Sequence, residues 1–276
     1  MKKQQLMDIM TSLGMRPGRG LGQNFLLDGN LLDYIVRTSG AAPGMTVLEV
    51  GPGFGALTRG LLEAGAEVYA IEFDRRLIHY LKKEFTMPEF HLIEGDACKV
   101  DFASQLPQDR PFRCIANLPY AISSVFIARL LTLDNPPTNW FFMLQKEMAQ
   151  RLAADVKTKN YGSLSVRAQL MYKLELVRVV PPEVFYPPPA VESALLAAQL
   201  LENVPPECER KKVDSIARMA FHQRRKKLTN TLGAAFGNDC VAEALYQLKL
   251  SADARPENLT CQDFLNLSRL LPELAN

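Results

Sequence analysis

Histidine, tryptophan and cysteine are scarce in this chain of 276 residues, which holds three, one and five of them. His79, His91 and His222 share no spacing that would set two on one metal ion, so they read as structural or surface residues. Cys98, Cys114, Cys208, Cys240 and Cys261 include no C-x-x-C pair; an odd, dispersed set points to reduced thiols and away from disulfides or zinc. No apolar run reaches the roughly 18 residues that a membrane span requires. Met1-Lys2-Lys3-Gln4-Gln5 lacks the apolar core of a signal peptide, so a cytoplasmic protein is expected. A strong charge of one sign is also missing. The net charge is +2, so no global attraction to nucleic acid follows from it. What is present, 47% apolar and 22% charged residues, is ordinary for a soluble protein. The length suits a main domain of roughly 200 residues beside a smaller one.

Chemistry enters at a glycine-rich turn. Val47-Leu48-Glu49-Val50 is a short apolar run that enters Gly51-Pro52-Gly53-Phe54-Gly55, after which Leu57, Leu61 and Leu62 mark a helix. Such glycines let the backbone approach a ligand, and the helix N-terminus presents free N–H groups. The next strand, Glu67 to Ile71, ends in Glu72, at the distance expected for an acid that grips ribose hydroxyls. A third, Phe90-His91-Leu92-Ile93, leads to Gly95-Asp96-Ala97. Asp96 suits an acceptor for the amino group of a nucleoside cofactor, and equally a turn cap. Alone, this pattern fits NAD, FAD or S-adenosylmethionine.

A fourth strand, Phe112 to Ala116, delivers Asn117-Leu118-Pro119-Tyr120 to the sheet edge where open α/β folds keep their ligands. The tetrapeptide suits methylation of an exocyclic amine on a flat base. The amino nitrogen of adenine is a poor nucleophile because its lone pair is delocalised into the ring. The Asn117 side-chain oxygen and the Leu118 carbonyl would accept its two hydrogens and favour a pyramidal nitrogen. Pro119 lacks an N–H, fixes its own φ and restricts Leu118. Tyr120 would stack on the base.

These motifs together resemble the ribosomal RNA adenine N6-dimethyltransferase family, most closely its KsgA/RsmA branch, which acts on small-subunit RNA. The matching segments are Gly22-Gln23-Asn24-Phe25-Leu26, Glu49 to Gly55, Glu72, Gly95-Asp96-Ala97, Asn117 to Tyr120, Val184 to Ser193 and Phe221 to Lys226. The resemblance implies a Rossmann-like, S-adenosylmethionine-dependent methyltransferase sheet of the α/β class with a small all-helical C-terminal domain. It implies that Asn24, Leu26, Gly51, Gly53, Glu72, Asp96 and Asn117 contact S-adenosyl-L-methionine. It places the target adenine on Asn117, Leu118, Pro119 and Tyr120, with Phe185 on its other face. The implied substrate is a pair of adjacent adenosines in a hairpin loop near the 3′ end of small-subunit (16S) RNA, each dimethylated, with a role in small-subunit biogenesis. One departure stands out: the family has a basic residue and an aromatic before the Gln-Asn-Phe-Leu stretch, whereas Gly20-Leu21 precede Gly22 here, with Arg16 and Arg19 nearby.

Organisation follows from the same pattern. Residues 1–43 read as a helical arm with Leu31, Leu32, Ile35 and Val36 as its apolar face, and residues 44 to about 145 as alternating strand and helix, hence a parallel sheet. Asn139 to Leu144 reads as a further strand, 173–180 and 190–200 as two late strands, and Lys157 to Gly162 as an exposed loop. Asn203-Val204-Pro205-Pro206 sets the expected boundary, giving a methyltransferase domain over 1–204 and a helical RNA-binding domain over 205–276, with Pro256 as a helix start. Arg210, Lys211, Lys212, Arg218, Arg224, Arg225, Lys226 and Lys227 face a single acid in that stretch, Asp214. Such a stripe would neutralise RNA phosphates, above all through Arg224, Arg225, Lys226 and Lys227.

The expected reaction is a direct in-line displacement, in which positioning supplies much of the catalysis and no strong protein base is needed. The expected partners are ribosomal RNA and the 30S subunit, with no membrane, no metal and a monomeric chain. Three rivals stay open: a large-subunit RNA methyltransferase that confers antibiotic resistance, a nicotinamide dehydrogenase using the same glycine turn, and a largely non-catalytic ribosome assembly factor.

Overall fold

The computed structural model describes residues 3–15 and 24–273. The segment 16–23, with Arg16, Arg19, Gly22 and Gln23, lies outside them. In chain order the elements are α1 (Lys3–Ser12), β1 (Phe25–Leu26), α2 (Gly29–Thr38), β2 (Thr46–Val50), α3 (Ala56–Glu63), β3 (Glu67–Glu72), α4 (Arg75–Glu84), β4 (Phe90–Glu94), β5 (Phe112–Asn117), α5 (Ser123–Leu130) and β6 (Asn139–Gln145). They continue with α6 (Lys146–Leu152), α7 (Ser163–Gln169), β7 (Tyr172–Val180), β8 (Phe185–Tyr186), β9 (Ser193–Leu200), α8 (Glu207–His222), α9 (Leu228–Phe236), α10 (Asn238–Gln247) and α11 (Cys261–Leu270).

Seven strands form one sheet in the order β4-β3-β2-β5-β6-β9-β7. The β4-β3, β3-β2, β2-β5 and β5-β6 pairs are parallel, and β9 runs antiparallel to β6. From β2 the chain first moves outward through β3 and β4, then returns to β2's other side for β5. That reversal opens a crevice at the carboxyl ends of β2 and β5, the place where such sheets bind ligands. The continuous apolar runs foreseen for these strands match their burial. Val47, Leu48, Val68, Ala70 and Phe142 are fully buried, as strands covered on both faces must be.

Local signals set the helices. The Asp28 side chain accepts from the Leu31 N–H and starts α2; Asp74 does the same with Arg76 for α4. Leu57 and Leu61 turn one face of α3 into the core. A short two-stranded ladder, absent from the sequence reading, pairs Phe25 with Tyr186 and Leu26 with Phe185. It joins the first motif of the chain to the loop that follows β7.

The chain divides into two compact units. One comprises Met1–Leu130, Pro137–Ala149 and Glu175–Gln199; the other comprises Leu131–Pro136, Gln150–Leu174 and Leu200–Asn276. The second unit thus takes in a segment near 150–174 that a single break at 204/205 assigns elsewhere. The reason is packing: Val166 and Leu170, at α7 and its C-terminal end, share an apolar cluster with Val213, Ile216, Leu232, Leu245 and Phe264. Tyr161, placed by sequence in an exposed loop, is 1% exposed, and its hydroxyl donates to the Leu259 carbonyl at 2.9 Å. The loop's polar composition hid one aromatic anchor.

Candidate active site

The crevice holds a cavity of about 290 Å³. Its walls include Asn24 to Leu26, Glu49 to Phe54, Glu72, Gly95 to Ala97 and Asn117 to Tyr120. The last four of these segments meet around one space because each sits at the tip of a neighbouring parallel strand, and the first is brought to it by β1. The side chain of Leu6, on α1, also reaches this wall, where α1 packs through Leu6 and Met10 against Phe54 and Leu77.

The glycine turn needs its glycines for two separate reasons. Gly51 has φ +67°, and a Cβ there would lie 2.9 Å from the Pro119 ring. Gly53 has φ +59°, and a Cβ there would press on the Phe25 ring at 3.1 Å. Left-handed backbone costs an L-residue roughly 1–2 kcal/mol before any contact is counted. The turn is thus packed directly against the tetrapeptide and against the first motif.

Asn117 ends β5. Its side-chain Nδ2 donates to the Asn24 carbonyl at 3.1 Å, which fixes the amide plane and leaves Oδ1 as the available acceptor. Leu118 buries its side chain while its N–H donates to the Met143 carbonyl. Its own carbonyl accepts no hydrogen bond from the described residues, so a rigid acceptor is left on the cavity wall. Tyr120 is half-buried, with its hydroxyl 2.5 Å from the Ser193 Oγ, and burial raises its pKa while Ser193 lowers it. The ring is thereby held by its far end.

Glu72 is 7% exposed. Its Oε1 accepts from the Phe73 and Asp74 N–H groups, both at 2.8 Å. Burial raises its pKa, and backbone hydrogen bonds from Asp74, Phe73 and Gly53 oppose the rise. Asp96 takes the Cys98 N–H at 2.9 Å, so it is a turn cap as well as a wall residue, with the Lys99 ammonium 3.7 Å from its second oxygen. The sequence named Glu49 only as part of the turn motif. The structure buries it at 2% exposure in the cavity wall, with the Thr58 hydroxyl donating to Oε2 at 2.6 Å. A polar side chain inside an otherwise apolar strand was the signal available to find it.

Phe185 requires a correction. It is 3% exposed, packed with Leu26, Met143, Val180 and Leu195, and it does not line the cavity. Pairing of β8 with β1 turns the ring into the core, so in this conformation it supports Leu26 and offers no free face to a base.

The basic stripe is corrected as well. Acids remote in sequence pair with three of its eight cations, and acids one helical turn away pair with two more. Arg224 Nε donates to Glu257 at 2.8 Å, and its terminal nitrogens donate to the carbonyls of Thr158 and Lys159. Lys227 pairs with Asp253, Lys211 with Glu207, Lys212 with Glu273 and Arg218 with Asp214. Arg210 is buried and donates to the carbonyls of Leu131 and Leu133. Among the described residues of the stripe, only Arg225 and Lys226 form no side-chain ion pair or hydrogen bond.

Known proteins resemble this chain over most of its length. The family model described as ribosomal RNA adenine dimethylase matches residues 17–273. The chain belongs to that family. Its relatives include proteins called ribosomal RNA small subunit methyltransferase A from Hahella chejuensis (39% identical over 259 residues, 93% of each chain) and Marinobacter nauticus (38% over 262 residues, 94% of this chain and 93% of the relative). Among solved structures, a dimethyladenosine transferase from Plasmodium falciparum superposes with a TM-score of 0.74 at 28% identity, covering 88% of this chain and 95% of that one. The 23S rRNA methyltransferase ErmE shares the fold, with a TM-score of 0.66 at 24% identity over 90% of this chain and 99% of its own.

Proposed function

We propose that this family member transfers methyl groups from S-adenosylmethionine to the exocyclic N6 of adenine in small-subunit ribosomal RNA, twice at each of two adjacent adenosines in a hairpin loop. The observation that carries the reading is the Asn117 amide pinned by the Asn24 carbonyl, with Oδ1 and the unbonded Leu118 carbonyl left as a pair of acceptors on the cavity wall. The names of the relatives support the small subunit as the source of the RNA.

The cavity suits the donor. Its glycine turn admits close backbone approach, and Glu72 offers a carboxylate at the β3 tip. Among the described residues the wall carries the acids Glu49, Glu72, Asp74 and Asp96 and no Lys, Arg or His, a lining that favours a cationic nucleoside. When bound, the donor supplies a methyl group activated by its positive sulfur. The chain's own residues do the rest. Asn117 Oδ1 and the Leu118 carbonyl accept from the amino group and aim its lone pair; Pro119 keeps that carbonyl in place; Tyr120 stacks on the ring. The wall carries no His or Lys among its described residues, no strong base is required because the donor's methyl is already activated, and the amine proton leaves to solvent after attack. A base inside a duplex is out of reach, so the target adenine lies in a loop or is flipped out.

Incubation of purified small and large subunits with tritiated donor, followed by mapping of the modified base, tests this. Label confined to large-subunit RNA, or absent from both, defeats the proposal. Two substitutions refine it. Base stacking is worth about 1–3 kcal/mol, and 1.4 kcal/mol is about tenfold, so Tyr120→Ala lowers kcat/KM by roughly 10- to 100-fold. Tyr120→Phe keeps the ring and stays within severalfold of wild type. For RNA contact, removing both Arg225 and Lys226 reduces the slope of log affinity against log salt by about 1–2. Arg224→Ala instead lowers the melting temperature, because Arg224 clamps the 158–159 carbonyls and Glu257.

A further inference from the structure

Glu49 is a buried carboxylate that the proposed methyl transfer does not use. It lies in the middle of the sheet on β2, yet it forms part of the cavity wall. The groups that face it are Thr58 on α3, which donates a hydrogen bond, Glu72 on β3, a second carboxylate, and Cys114 on β5, a buried thiol. Asp74 is paired with Arg76, and Asp96 lies beside Lys99, but neither Glu49 nor Glu72 has an ion-pair partner among the described residues. Two buried carboxylates with no counter-ion do not both stay charged when no cation is bound beside them. A cation entering the cavity changes that balance. The methyl donor carries one more positive charge than its product, because transfer turns the sulfonium into a neutral thioether.

We propose that Glu49 distinguishes donor from product: it holds a proton in the empty cavity, releases it to solvent when the cationic donor binds, and keeps it when the product occupies the same place. This rests on the assignment of the cavity to S-adenosylmethionine. The direction of the linkage is fixed. Burial, opposed by Thr58 and reinforced by Glu72, pushes the Glu49 pKa up to about 8. The donor favours the ionised form, so its affinity rises with pH, by up to about tenfold per unit, and levels off above about pH 8. Product affinity stays nearly flat, and the preference for donor over product grows across the same range.

Isothermal titration calorimetry of the full chain at pH 7, in phosphate and in Tris, counts the protons exchanged. Donor binding is expected to release most of one proton; S-adenosylhomocysteine binding is expected to release almost none. Glu49→Gln removes the donor's buffer dependence and flattens its pH profile. Thr58→Val removes the hydrogen bond that favours the ionised form, shifts the pH of maximal release upward, and keeps the test open if the first variant does not fold. Donor binding without proton release, or release retained in Glu49→Gln, overturns the proposal while leaving the donor assignment intact. Absence of any donor binding overturns both.

Discussion

Asn117→Ala lowers the single-turnover rate of methyl transfer by about 100- to 1000-fold, the loss typical when one oriented group at a reacting centre is deleted. The donor's Kd moves far less, because Gly51, Gly53 and Glu72 still form the cavity. Two functions of the side chain disappear together: the Nδ2 bond to the Asn24 carbonyl and the acceptor that the bond orients. Asn117→Asp separates them. It retains an oxygen but removes the donor, and it places a charge 3.1 Å from a carbonyl oxygen. Its rate therefore falls nearly as far. Rapid-quench measurement with saturating RNA, beside equilibrium binding of the donor, checks both. An Asn117→Ala enzyme that turns over at the wild-type rate removes the tetrapeptide from the chemistry.

Tyr161→Ala destabilises the helical unit by about 3–5 kcal/mol, the range for a large buried aromatic truncated in a packed core. Its ring meets Phe221 edge-on at 5.9 Å, and its hydroxyl satisfies the Leu259 carbonyl. Tyr161→Phe keeps the ring and loses one neutral hydrogen bond, about 1 kcal/mol, with a buried carbonyl left unpaired. Denaturant unfolding followed by circular dichroism orders the three proteins as wild type, Phe and Ala. Equal midpoints for wild type and Ala contradict the anchoring role.

Strand tips were legible in the sequence because their signals are local. An apolar run ending in glycine, acid or Asn-Leu-Pro-Tyr says what the strand carries, and the alternation of strands with helices says that the tips share an edge. Both late strands were visible for the same reason. Long-range pairing was not. Nothing near Phe185 indicates that Leu26, 159 positions earlier, is its ladder partner, so the ring's burial stayed hidden. Ion pairing has no periodicity either. The stripe from Arg210 to Lys227 looked unopposed because Asp253, Glu257 and Glu273 lie tens of residues away. Glu49 was in view as a letter of a motif, but its solvation depends on Thr58, Glu72 and Cys114, which only the folded sheet assembles.

The β1–β8 ladder has a consequence for biogenesis. Asn24 owes its place to a two-residue strand whose only partner in that ladder is translated long after it, beyond the whole of β2 to β7. A nascent chain that stops short of Phe185 has the glycine turn and all four acids yet lacks the clasp that brings Asn24 to Asn117. Competence to grip a nucleoside thus waits for β8, after the parallel strands have all been made.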